Sequence, residues 1–176
     1  FEEKWLTLDE LNRALEADWV GHEELRARLV ALPKFGFDDS VTNALAGRLA
    51  GDLAGFVREL ENERGDRFQP SLFVYYMFLT MGRQVRATPD GRRNGEMLSQ
   101  GVAPGRVRPP RHLTDVFRSL SHVDFTRLPG NSVLDVQLPA GGAVTSADLV
   151  ALMRTFVRLG GPTLQLNCVS PDALRE

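Results

Sequence analysis

Asn131-Ser-Val-Leu-Asp-Val-Gln-Leu138, a run from Ser146 to Leu159, and Thr163-Leu-Gln-Leu-Asn-Cys-Val169 are the three stretches that decide the fold class. The first carries apolar Val133 and Leu134 at its centre and reads as a strand. The second repeats Leu149, Leu152, Met153, Phe156 and Leu159 at threes and fours, with Ser146 as its cap and Gly160-Gly161 as its stop, and reads as a helix. The third alternates in polarity and reads as a second strand. Two strands joined by a helix of about a dozen residues form a βαβ unit, which requires parallel pairing.

Upstream the chain is helical. Thr7 and Glu10 form a capping box ahead of Leu8, Leu11, Leu15 and Trp19, which fall on one face of a helix ending near Gly21. A second helix runs from His22 to Leu32, closed by Pro33. Asp38 and Asp39 open a third helix of about 25 residues with Val41, Leu45, Leu49, Leu53, Phe56 and Leu60 on one stripe, closed by Gly65. N-terminal capping accounts for the paired aspartates more simply than metal or acid/base chemistry does. Pro70 to Thr80 is aromatic and branched, apolar on both faces, and is expected to be a central strand buried on both sides. A long Gly-, Pro- and Arg-rich loop from Gly82 to Pro110 and a short helix, Leu113 to Leu120, complete the pattern.

Composition narrows the function classes. Of the 176 residues, 43% are hydrophobic and 25% charged, as in a soluble globular protein. The most apolar stretch, Ser71 to Met81, is too short to cross a membrane. Phe1-Glu-Glu-Lys-Trp-Leu6 has neither an initiator Met nor a secretory signal and reads as a cut end. The lone Cys168 excludes an internal disulfide and fits a reducing cytoplasm, and His22, His112 and His122 lack metal-ligand spacing, so no metal is expected. Residues 1–66 hold 8 Lys/Arg against 15 Asp/Glu and residues 67–176 hold 13 against 8, so an acidic helical layer should attract a basic strand-and-loop layer. A nucleic-acid surface is the rival reading, disfavoured because no aromatics are interleaved among the arginines.

The run Ala87-Thr-Pro-Asp-Gly-Arg-Arg-Asn-Gly-Glu-Met-Leu-Ser-Gln-Gly-Val-Ala-Pro104 resembles a barrel loop of the glycyl radical enzymes, the pyruvate formate-lyase-like family. Four further blocks resemble that family in order: residues 1–11, Leu32 to Asp39, Phe68 to Phe73, and Gly160 to Arg175. The resemblance implies an α/β fold, a partial (half) α/β barrel, with residues 1–176 as a single segment of one domain. It implies a parent that cleaves C–C, C–O or C–N bonds of a small polar substrate, as a lyase, dehydratase or formate C-acetyltransferase-like enzyme. It also implies a glycine-centred radical, generated by an S-adenosylmethionine-dependent iron–sulfur activating enzyme. The family's cysteine motif and its glutamate would precede Phe1 and its glycine motif would follow Glu176, so no catalytic residue is expected in this chain. The partners implied are the rest of the parent chain, the activating enzyme and the substrate, with a second copy of the chain left open. Phe37, Met97, Val107 and Cys168 depart from the family pattern.

Some residues carry candidate roles. Alternation along the last strand puts Gln165 and Asn167 on one face and Leu164, Leu166 and Cys168 on the other, so either the amide pair or the thiol lines a cavity. The plainer alternative is that the amides satisfy backbone groups of the radical loop and that Cys168 is a buried packing residue. In the loop, Arg92 and Arg93 beside Asp90 could clamp an anion; the plainer alternative is that Asp90 and Gly91 turn the chain and the guanidinium groups tie it down. A non-catalytic half-barrel for binding or assembly is the alternative function.

Overall fold

The computed structural model describes residues 5–138 and 144–168. In chain order it holds α1 (Leu8–Glu16), α2 (Glu23–Ala31), α3 (Ser40–Glu59), α4 (Met77–Gly82), α5 (Leu113–Leu120), a 3-10 turn at Phe125–Arg127, β1 (Val133–Gln137), α6 (Ser146–Arg158) and β2 (Thr163–Asn167). β1 and β2 pair in parallel, with Val133 opposite Thr163 and Gln137 opposite Asn167, so the βαβ unit expected from the sequence is present. The cap of α6 is Thr145, one residue earlier than Ser146, because Thr145 and Asp148 close a reciprocal capping box. Gly160, at φ 75°, ends the helix as expected, and Gly161 N–H donates to the Phe156 carbonyl at 3.0 Å.

The capping box at Thr7 forms: the Thr7 hydroxyl accepts from Glu10 N–H at 3.2 Å and the Glu10 carboxylate from Thr7 N–H at 2.8 Å. α1 stops at Glu16 rather than near Gly21, since Asp18 and Trp19 take left-handed backbone (φ 51° and 69°). That turn drives Trp19 inward, where it is wholly buried and its indole N–H donates to the Arg92 carbonyl at 3.1 Å. Asp39 caps α3 by accepting from Thr42 N–H at 2.9 Å, whereas Asp38 turns outward in left-handed backbone and pairs with Arg118 at 3.2 Å.

Further sequence expectations fail: α3 ends at Glu59 after 20 residues and does not run about 25 residues to Gly65. Residues 71–76 form no strand, and helix α4 begins at Met77. Among the described residues two hydrogen bonds tie the extended part down, Gly130 N–H to the Pro70 carbonyl and Leu72 N–H to the Ser132 hydroxyl, and no strand lies against it. Leu72 packs against the core, but the stretch is not buried on both faces, since Phe73, Tyr75 and Tyr76 are all exposed. The apolar stripe of α3 is likewise exposed along Val41, Leu45, Leu49, Leu53, Phe56 and Leu60, while the helix turns Asn43, Ala50 and Ala54 inward. Small residues win that face because the packing is close: a Cβ on Gly47 would sit 2.4 Å from the His122 carbonyl oxygen.

The main core joins Leu134 and Val136 of β1 to Val116, Phe117 and Leu120 of α5 and Phe156 of α6, with Leu164 and Leu166 packed against it. Phe117 and Phe156 meet edge to face at 5.2 Å. Both ion pairs among the described residues, Arg67–Glu61 and Arg118–Asp38, link the acidic to the basic part of the chain, but both are solvent-exposed and contribute little.

Candidate functional site

Strand alternation separates the two faces of the β1–β2 pair. Leu134, Val136, Leu164 and Leu166 point to the helical core. The opposite face therefore carries Val133, Asp135 and Gln137 from β1 and Thr163, Gln165 and Asn167 from β2, and the register sets Asp135 directly opposite Gln165. Asn167 Nδ2 donates to Asp135 Oδ1 at 3.4 Å, and Gln165 Nε2 donates to Asn167 Oδ1 at 3.3 Å. Asp135 also lines a cavity of about 330 Å³ with Gln100, Arg106, Pro104, Pro109 and Pro110.

The amide pair of the sequence reading thus shares one face, joined by Asp135, which sequence reasoning missed. The alternation Val133, Asp135, Gln137 held the signal, but only the strand register brings Asp135 to Asn167. Cys168 follows Asn167 and, by alternation, falls on the other face of the strand. It is exposed, contrary to the burial expected of it, because it lies one residue beyond the paired part of β2 and no described element covers it there.

The loop residues form a second cluster. Thr88 Oγ1 donates to Asp90 Oδ1, and Gly91 N–H to the Thr88 carbonyl at 3.0 Å, closing the turn. Gly91 sits at φ 99° with Val30 Cγ2 only 2.3 Å from where a Cβ would be, so no side chain is accommodated. Arg92 is 4% exposed and uses all five of its N–H donors within the loop. Nε donates to Thr88 Oγ1, Nη1 to the Arg93 and Glu96 carbonyls, and Nη2 to the Val85 and Arg86 carbonyls. No donor is left for a carboxylate. Arg93 points elsewhere, donating to the Asp18 carbonyl at 2.9 Å. A crevice of about 780 Å³ opens beside this loop, lined by Arg26, Asp90, Arg92, Glu96 and Arg106 among others. Nearby, burial holds the Lys34 ammonium below its ordinary pKa; Asp90 opposes that effect and Arg108 adds to it.

Among the described residues, no group of three or more His, Cys, Asp and Glu is placed to hold a metal ion, and no helix is long and apolar enough to cross a membrane. Two glycines of the long loop sit in close contact with neighbouring groups. Gly101 is pressed under β1, where a Cβ would lie 2.0 Å from the Val133 carbonyl oxygen, and Gly105 lies against Asp90.

Comparison with known proteins places this arrangement. Residues 1–82 match the family model described as pyruvate formate lyase-like. The chain is 28% identical over 189 residues to the probable dehydratase YbiW of Escherichia coli, matching all of this chain and 23% of that protein. It is 34% identical over 188 residues to the isethionate sulfite-lyase of Desulfovibrio desulfuricans, matching 99% of this chain and 22% of that protein. The glycerol-bound B12-independent glycerol dehydratase from Clostridium butyricum superposes with a TM-score of 0.90 at 29% identity, over 99% of this chain and 23% of its own. The chain therefore spans under a quarter of the length of these relatives, and its helices and two parallel strands are a portion of their α/β barrel. A family model matching residues 1–82 and a superposition over nearly the whole chain thus make this chain similar to the pyruvate formate lyase-like proteins, and the relatives it matches are glycyl radical enzymes.

Proposed function

We propose that this sequence is one part of a longer glycyl radical enzyme and supplies a wall of its substrate cavity, with the cleavage chemistry carried elsewhere in the polypeptide. One observation carries the reading: the β1–β2 pair packs its apolar face on helices and leaves the face with Asp135, Gln165 and Asn167 open. In an α/β barrel the helices lie outside, so the open face is the one turned to the interior. Polar strand residues on that face suit a small polar substrate, and the names of the relatives, dehydratases and a sulfite-lyase, favour elimination chemistry over a formate acetyltransferase. The loop of Asp90, Arg92 and Arg93 has a supporting part, because Arg92 spends its donors on loop carbonyls. The partners are the remaining chain, an S-adenosylmethionine-dependent activating enzyme and the substrate, in the cytoplasm. No step is assigned to the radical, because the residues that would bear it are not in this sequence.

The complete polypeptide carrying this sequence, incubated anaerobically with its activating enzyme and S-adenosylmethionine, is expected to develop an organic radical doublet by electron paramagnetic resonance, and residues 1–176 alone none. A doublet in the isolated chain would overturn the assignment of the radical site. Its absence from the complete polypeptide would favour the non-catalytic half-barrel.

A further inference from the structure

We propose that Asp135 is a positioning residue that sets the direction of a hydrogen-bond ladder, Asp135–Asn167–Gln165, so that Gln165 presents its carbonyl oxygen to a hydroxyl group of the ligand. The inference rests on the reading that this face lines the substrate cavity.

An amide side chain is ambiguous on its own, since its oxygen accepts and its nitrogen donates and the two ends have the same shape. A carboxylate is not ambiguous: ionised, it only accepts. Asp135 Oδ1 lies 3.4 Å from one end of the Asn167 amide, so that end must be Nδ2. The other end is then Oδ1, an acceptor, and the Gln165 group 3.3 Å from it must be Nε2. Gln165 Oε1 is left pointing away from the ladder, and among the described residues nothing donates to it. Each link removes the freedom of the next. An asparagine at 135 would break the chain of reasoning at its first step, because it could donate or accept and both amides could turn over together. The strand register supports the arrangement, since Asp135 faces Gln165 and Asn167 lies two residues on, diagonal to Asp135 on the same face, so the three groups are held by backbone pairing and not by a loop. An acceptor fixed in this way selects a donor, and a site built to hydrogen-bond a hydroxyl rejects an analogue that lacks one.

The test uses the complete polypeptide without its activating enzyme, glycerol as probe, and calorimetry alongside thermal unfolding. Asn167→Asp alone sets two carboxylates against each other and is expected to weaken glycerol binding at least about tenfold and to lower Tm. Asp135→Asn alone frees the direction and is expected to weaken binding about three- to tenfold. The double variant, Asp135→Asn with Asn167→Asp, exchanges donor and acceptor across the first link. The carboxylate now at 167 still accepts from Gln165 Nε2, so Gln165 keeps its direction and glycerol affinity is expected within about threefold of wild type. Additive losses, with the double variant worse than either single one, would overturn the ladder and leave these residues as packing. If the wild-type protein takes up no glycerol, the reading of the cavity falls, and the thermal cycle decides the ladder by itself: recovery of Tm in the double variant supports it, and additive loss of Tm refutes it.

Discussion

Arg92 shows at a single residue how a functional-looking motif can be satisfied from within. Two adjacent arginines beside an aspartate suggest an anion clamp, and sequence alone could not separate that from a loop brace. The difference lies in geometry, because five carbonyl and hydroxyl acceptors converge on one planar guanidinium that is nearly sealed from solvent. Lysine would keep the charge but bring only three donors without the planar fork, stranding some of those acceptors. Arg92→Lys is therefore expected to cost about 2–3 kcal/mol, read from the urea midpoint of the complete polypeptide. A cost below about 0.5 kcal/mol, the size of an ordinary surface change, would mean that the loop holds without the brace. Trp19 carries the same lesson: its place on an apolar stripe was legible, but its indole bond to the Arg92 carbonyl, which ties the first helix to this loop, was not.

At the scale of the element, caps and periodicity were readable because their chemistry is local. The Thr7 box, the Asp39 cap, the bounds Leu113–Leu120 and the Gly160 stop follow from residues within a turn of one another. The α6 cap adds a pH dependence. The Thr145 hydroxyl, and then its backbone N–H, hold the Asp148 carboxyl below its ordinary pKa. A depressed carboxyl stabilises the folded form above its unfolded pKa, and that contribution disappears as pH falls through the folded value. Hydrogen-exchange protection of the first turn of α6 is thus expected to weaken below about pH 4 in wild type, and Thr145→Ala, which removes the hydroxyl but keeps the backbone N–H, should reduce the dependence. What sequence could not show was which face of α3 turns inward. Periodicity marks an apolar stripe but not its partner, and the stripe faces away from the rest of the described chain while alanines and glycines make the close contact. Ala54→Leu should therefore cost about 1–3 kcal/mol by overpacking. Leu49→Glu, on the exposed stripe, should leave the stability of the isolated chain within about 0.5 kcal/mol. The reverse order of the two penalties, measured by chemical unfolding, would mean that the helix sits the other way round.

At the scale of the molecule, the aromatic stretch after Pro70 was misread for the same reason that the α3 stripe is bare. Among the described residues no element covers either, and a strand with no strand beside it cannot form its ladder. Among the described residues the exposed large apolar side chains fall into two sets, the α3 stripe from Val41 to Leu60 and the group of Phe73, Tyr75, Tyr76, Met77, Leu79 and Met81. Contiguous apolar patches larger than a few hundred Å² are rare on soluble monomers and mark surfaces that another chain or segment covers. At about 25 cal/mol per Å², covering even 1,000 Å² of them is worth about 25 kcal/mol before ordering costs, well above the 5–15 kcal/mol that separates most folded domains from their unfolded chains. The isolated chain is accordingly expected to self-associate at micromolar concentration and to bind an environment-sensitive apolar dye strongly, both read against the complete polypeptide, where dye binding should fall several-fold. Changing Leu49 and Phe56 to glutamate together should shift the isolated chain toward smaller species in light scattering, because it places charge in the middle of one patch. A monodisperse, dye-silent monomer with a cooperative thermal transition would instead mean that these 176 residues close on themselves as an independent module.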